Sequence, residues 1–240
     1  MDEPLTKKER RALAKEKKRE EQLKSESTKK LKNWVIAALI IAGLIVAGVK
    51  FWQWANTAPE GVPEVPLELT DSEWMKGNPQ ALVTLVEYGD FQCPACATYY
   101  PIVKTLIDEY GENLRVVYRH IPLVAIHTNA MDAARAAEAA GLQGKFWEMH
   151  DKLYENQKEW ENERNPSGFF EKYAEEIELD LEKYKVDFAS SGVQDEIDKD
   201  IFTANRLGVN STPTFFLNGE RIQNPRGLDD FRKSVDSLIQ

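Results

Sequence analysis

The chain's only two cysteines, Cys93 and Cys96, lie three positions apart where an apolar run gives way to a helical pattern. In 240 residues, a lone pair placed at random would show this exact spacing about once in 120 trials, so the spacing asks for a reason. The run before them, Ala81-Leu82-Val83-Thr84-Leu85-Val86-Glu87-Tyr88, is β-branched and apolar and predicts a buried strand. A helix is expected from about Pro94 to Tyr110, stopped at Gly111, and Leu114 to Arg119 predicts a second strand. Strand, helix, strand is a βαβ unit with a parallel pair. A thiol pair at the strand-to-helix junction of such a unit restricts the fold more than any other feature of the chain.

The rest of the domain follows in order. From His127 to Leu207 the pattern is helical almost throughout. Candidate helices are Asn129–Ala140, Phe146–Tyr154, Phe169–Ile177, Leu181–Phe188 and Val193–Leu207, with Asn165-Pro166-Ser167-Gly168 breaking between two of them. Sheet signals return at Pro213–Leu217, the turn Asn218-Gly219, and Arg221-Ile222; Leu228–Ile239 predicts a terminal helix. Sheet, helical block, then sheet again describes an α/β domain over residues 67–240, interrupted by a helical insertion at about 127–190.

The first third reads differently. Residues 1–33 carry 12 Lys+Arg against 7 Asp+Glu, a net of +5; the remainder carries 19 against 33, a net of −14. The basic excess is confined to a short tail, so nucleic acid is not expected as a partner of the acidic working domain. Residues 34–54, from Trp34 to Trp54, would span about 31 Å as a helix, the thickness of a hydrocarbon core. Lys50 can snorkel there, and Trp34, Trp52 and Trp54 suit the interfaces. A cleaved signal peptide is the competing reading. The long basic head, and the absence of a good cleavage site near Asn56 and Ala58, favour an uncleaved single-pass transmembrane anchor. The Lys/Arg cluster then keeps the tail (1–33) cytoplasmic and the C-terminal domain extracytoplasmic, where disulfides persist. Residues 55–66, with Pro59, Pro63, Pro66 and Gly61, read as an extended linker.

Thiols attack as thiolates, so a reactive cysteine needs its pKa lowered. Cys93 is expected at the start of a helix, beside unpaired backbone N–H groups and the positive end of the dipole, with Pro94 suited to the first helical position. Cys93 is therefore expected as the exposed attacking sulfur and Cys96 as the buried resolving one. A zinc site would want four ligands, and His120, His127 and His150 lack finger-like spacing, so no metal is expected. A purely structural disulfide would close too short a loop to constrain the unfolded chain much.

Several separate features over residues 67–240 resemble the DsbA-like thiol:disulfide oxidoreductases of the thioredoxin superfamily, in their membrane-anchored bacterial form. Asp90-Phe91-Gln92-Cys93-Pro94-Ala95-Cys96 is similar to their active-site segment, Gly144-Lys145-Phe146-Trp147-Glu148-Met149-His150 to a stretch of the insertion, and Val209-Asn210-Ser211-Thr212-Pro213-Thr214-Phe215 to the loop whose cis-proline faces the cysteines. The resemblance implies a thioredoxin-like fold with an inserted helical subdomain. It implies that Pro213 is cis and that Thr212 pairs with substrate backbone. It implies that Glu87 is a buried carboxylate relaying a proton to or from Cys96. A proline that merely opens the next strand, and an exposed glutamate at a strand end, are the plainer readings of those two residues. Pro101 would kink the active-site helix or sit within its early turns. Pro94 and Ala95 would tune the site. Ala95 is the departure, since strong oxidants of the family often carry histidine there.

The expected function is a dithiol oxidase that introduces disulfides into cysteine-containing exported proteins. It would use no cofactor beyond the Cys93–Cys96 pair, and a quinone-linked membrane partner would reoxidise it. A reductase or isomerase on the same face is the alternative; a non-catalytic peptide-binding module is another, and predicts that serine at both cysteines leaves function intact.

Overall fold

The computed structural model describes Gly43 and residues 46–50, 69–70 and 73–239. These fall into two units divided near residue 61. In the first unit, Gly43 and residues 46–50 are helical, with Val46 and Val49 exposed. The tail at 1–33, the linker at 55–66 and most of the anchor at 34–54 lie outside the described residues. Among those described, no helix is long and apolar enough to cross a membrane.

The second unit is built on five strands: β1 (Trp74–Gly77), β2 (Val83–Gly89), β3 (Leu114–His120), β4 (Thr214–Leu217) and β5 (Glu220–Ile222). Their spatial order is β1-β3-β2-β4-β5, with β2 and β3 parallel and the other neighbours antiparallel. Helix α1 (Pro94–Tyr110) makes the crossover between the parallel strands, and α8 (Leu228–Ile239) closes the chain. The insertion supplies α2 (Ala130–Gly141), α3 (Phe146–Glu155), the single turn α4 (Gln157–Trp160), α5 (Ser167–Glu176) and α6 (Leu181–Phe188); α7 (Ser191–Arg206) leads back to the sheet.

Strand alternation divides the core. Val83 and Leu85 of β2 pack with Val103 and Leu106 of α1 and Phe231 and Val235 of α8. Val86 and Tyr88 belong to the opposite cluster, with Ala204 and Leu207 from the end of α7. The alanines of α2 lie among Phe146, Trp160, Phe170 and Tyr173 in a core that runs on from the insertion to Phe91, Cys96, Tyr100 and Tyr118. Each large side chain buried there contributes about 1.5–3 kcal/mol.

Strand β1 is absent from the sequence reading. Its four residues, Trp-Met-Lys-Gly, are too short and unpatterned to announce a strand. Pairing with β3 creates it, in the register Trp74↔Tyr118 to Gly77↔Arg115. Trp74 fixes this edge by stacking on Phe146 at 4.6 Å and donating from Nε1 to Glu138 Oε1 at 2.6 Å. Gly141 makes room for the indole: a Cβ there would lie 2.3 Å from the ring.

Candidate active site

Two periodicities bring the chemistry together. Glu87 follows Val83 and Leu85 at strand spacing, so it lies on the face of the sheet that α1 covers. Along α1 the buried residues are Cys96, Tyr100, Val103 and Leu106, so Cys96 begins the helical stripe turned toward that face. Cys93 precedes the helix as its N-cap, and Pro94 occupies the first turn. No side-chain hydrogen bond caps the helix and no acidic residue sits in its first turn. The Cys93 sulfur therefore holds the position where a capping oxygen commonly sits.

Both cysteines are free. Cys93 is 7% exposed and Cys96 0%. The expectation of an exposed Cys93 is corrected: the turn folds it under the loop before β4, where its Sγ lies 3.5 Å from the Thr212 carbonyl oxygen. The inequality between the two sulfurs holds all the same. A hydrogen bond from the Cys96 thiol does most to bring Cys93 down to about 5, burial opposes it, and Thr212 and the backbone N–H groups of Cys96 and Ala95 add to the lowering. The Thr212 carbonyl itself favours the thiol, which donates to it; the donors around the sulfur outweigh it. Cys96 moves the opposite way, raised well above the ordinary thiol range by burial first, then by its bond to Cys93 and by the charge of Glu87.

Glu87 is 3% exposed, and its Oε1 has no hydrogen-bond partner. The strand-end glutamate open to water is thereby excluded. Burial pushes its carboxyl up to about 8, and the negative charge of Cys93 adds to the rise. Tyr118 of β3 pairs in register with Glu87, and its hydroxyl lies 2.9 Å from that of Tyr154. A cavity of about 20 Å³, room for one water, connects Glu87 with Lys104, His150 and Asp151.

The Thr212-Pro213 bond is cis, as the resemblance implied. Pairing of β4 with β2, Tyr88↔Thr214, brings this loop beside the end of β2 from which the cysteine turn leaves. Asn224 Nδ2 donates to the Pro213 carbonyl at 2.7 Å. Pro94 and Ala95 are exposed, and Ala95 gives Cys93 only its backbone N–H. Pro101 sits inside α1, which runs on through it to Tyr110.

Three supporting residues escaped the sequence reading. Asp90 has a fully buried side chain. It accepts from the backbone N–H of Gln92 (2.8 Å) and Leu123 (2.9 Å) and pairs with His127 Nδ1 (2.7 Å). It lies within the recognised segment, but nothing local assigned it that role. Gln157 reaches the cysteine turn from the insertion, 64 positions away, and no sequence signal announces it. Tyr118 reads only as a strand residue. Of the histidines, His120 pairs with Glu138 and His127 with Asp90. His150 is buried among Phe91, Trp147 and Tyr154, with Asp151 on its Nδ1. Among the described residues no cluster of three or more His, Cys, Asp or Glu is disposed to hold a metal.

The sheet order, the crossover helix opening on Cys93 and the cis-proline facing it define a thioredoxin-like domain with a helical insertion. Residues 70–237 match the family model described as thioredoxin, and the chain belongs to that family. The fold is the one found in DsbA-type thiol:disulfide oxidoreductases. A thioredoxin-like oxidoreductase from Silicibacter pomeroyi DSS-3 is 29% identical, with a TM-score of 0.59 over 70% of this chain and 92% of that one. DsbA2 of Pseudomonas aeruginosa is 25% identical, with a TM-score of 0.58 over 71% and 97%. Among curated relatives, the Na(+)/H(+) antiporter NhaA 3 of Salinispora tropica is 39% identical over 184 residues, 76% of this chain and 27% of that protein. The chain spans about a quarter of the length of the curated relatives it matches first, so the transport their names describe belongs to those whole proteins.

Proposed function

We propose that the chain is a membrane-tethered, extracytoplasmic thiol:disulfide oxidoreductase that introduces disulfides into exported proteins. The observation that carries the proposal is the opposed acidity of the pair: Cys93 falls to about 5 while Cys96 rises. At pH 7 a thiol of that acidity is about 99% thiolate, against a few per cent for free cysteine. A client thiolate attacks Cys93 of the Cys93–Cys96 disulfide, and two electrons begin to pass to the enzyme. Cys96 leaves as a thiolate, which its surroundings disfavour, and takes a proton from the Glu87 carboxyl. A second client thiolate then attacks the client sulfur of the mixed disulfide, and Cys93 departs as a stable thiolate that needs no proton. The client leaves oxidised and the enzyme holds one thiolate and one thiol; of the two protons the client thiols gave up, one restores the Glu87 carboxyl and the other goes to solvent. Thr212 would pair with the client backbone beside Pro213.

The Lys/Arg-rich tail ahead of residues 34–54 supports a cytoplasmic N-terminus, and the net charge of −14 after residue 33 favours protein clients over nucleic acid. A quinone-linked membrane partner would accept the electrons. The deciding experiment is the equilibrium potential of the pair against glutathione. An oxidase is expected between roughly −120 and −200 mV, and a value near about −270 mV would make the protein a reductase. Ala95 favours that second direction, since its methyl group gives the thiolate neither charge nor hydrogen bond. Thiol labelling of intact cells checks the location: a membrane-impermeant reagent should reach Cys93, and protection until lysis would place the domain inside.

A further inference from the structure

The insertion is joined to the cysteine turn by a seam of uncharged amide side chains. Gln157, 2% exposed, donates from Nε2 to the carbonyl oxygens of Phe91 (2.7 Å) and Cys93 (3.1 Å). Gln92 donates from Nε2 to the Glu161 carbonyl (2.6 Å) and accepts on Oε1 from the Asn129 backbone N–H (2.6 Å). Asn129 Nδ2 in turn reaches the carbonyls of Trp160, Glu161 and Glu163 at 2.9–3.3 Å. Phe91 and Cys93 are thus gripped from the insertion through their backbone carbonyls, and Gln92 through its side chain. Gln157 Oε1 is left buried without a partner, a penalty that buried amides seldom carry without a compensating role.

The carbonyl that Gln157 holds is the pivot of the site. Cys93 O also accepts from Ala97 N at 3.2 Å, and it belongs to the peptide that joins the cysteine to Pro94. Its direction sets how the next N–H groups, those of Ala95 and Cys96, meet the sulfur. Pro94 has no N–H with which to correct a misplaced plane. The turn is also tied on its other side, by Cys93 N to Asp90 O at 3.0 Å and by the Asp90 carboxylate to Leu123 and His127. Only the Gln157 bond ends on the cysteine from the insertion.

On the footing that Cys93 is the nucleophile, we propose that Gln157 is its positioning residue: by holding the Phe91 and Cys93 carbonyls, it makes the reactivity of the sulfur depend on where the helical insertion sits. A displacement of the insertion would turn the Cys93–Pro94 peptide and weaken the cap on the thiolate. A client or redox partner that presses on the insertion would thereby adjust the thiol without touching it.

The test is the pH dependence of iodoacetamide alkylation in the reduced full-length chain, where Cys96 is too weak an acid to compete. The titratable groups facing Cys93 are Cys96 on α1 and Glu87 on β2, and neither is hydrogen-bonded to Gln157. Gln157→Leu, similar in shape and lacking the donors, is expected to raise the Cys93 midpoint by about one pH unit, roughly tenfold less thiolate below it. Gln157→His, which keeps one N–H, should shift the midpoint less and in the same direction, and serves if the leucine variant fails to fold. Buried Trp160 reports folding through its fluorescence. Folded variants that titrate as the parent does, or lose only stability, would overturn the positioning role. If the parent's own Cys93 titrates as an ordinary thiol, the nucleophile reading falls first and this role falls with it.

Discussion

The two ends of the first turn of α1 offer opposite surroundings to the same functional group. At the cap, Cys93 has donors on several sides: the Cys96 thiol and two backbone N–H groups. One turn along, Cys96 faces apolar side chains and a carboxyl group, and burial outweighs the one backbone hydrogen bond, at Asp90, that favours its charge. A sulfur's role in exchange is therefore set by position along a helix more than by any neighbour in sequence. The unpaired Glu87 belongs with the second environment. It can give up a proton near neutral pH, and the burial that raises Cys96 also raises the carboxyl.

Serine substitutions break the comparison most severely. Cys93→Ser should abolish measurable exchange with a model dithiol. Cys96→Ser cannot form the disulfide, but its Cys93 thiolate should still attack a client disulfide and, with no second thiol to release it, accumulate mixed-disulfide adducts that a reductant frees on a gel. Equal and complete inactivity of both would end the division of roles.

Glu87→Gln tests the buried end. Closure of a Cys93–glutathione mixed disulfide should slow about 10²-fold at pH 7 if the carboxylate takes the Cys96 proton. The same variant has a pH-dependent effect on stability. With its native pKa raised to about 8, the carboxyl contributes stability present below the unfolded carboxylate pKa of about 4.3 and lost as pH rises through about 8. Glutamine removes that loss. Unfolding free energies from urea titration should match the parent at pH 4 and exceed it by on the order of 5 kcal/mol at pH 9; no gain at pH 9 would mean that Glu87 ionises freely in the fold.

The cap end has the opposite sign. Cys93 is depressed to about 5, so its contribution to the reduced protein is present above the unfolded thiol pKa of about 8.5 and lost as pH falls through about 5. Reduced parent should therefore gain on Cys93→Ser between pH 4 and pH 8, measured as a growing difference in urea midpoints. The smallest change sharpens the contrast. Ala95→His should lower the alkylation midpoint of Cys93 by about half a unit and leave Glu87 unmoved, since a cation at this exposed position is screened by water.

Much of this was legible in the chain. The run ending at Tyr88, the cysteine pair, and the alanine-rich and amphipathic segments each show a period that local physics enforces, and the elements fell where those periods placed them. Thr212-Pro213 was readable through its resemblance to a known loop. Trp74–Gly77 was not, because a four-residue edge strand exists only once β3 offers it a partner. The burial of Cys93 escaped for a related reason: the cover comes from a loop 119 residues away.

By itself, the order of amino acids determined the secondary elements, the position of one sulfur at a helix start, and the acidic balance that follows the basic tail. These depend on neighbours within a turn or a strand's length. Tertiary structure decided which carboxyl lies under Cys96, which glutamine holds the cysteine turn, and how far water is kept from both sulfurs. Acidity in a protein is a matter of solvation and of donors at hydrogen-bond distance. Those donors and that shelter come from segments the chain must first fold together.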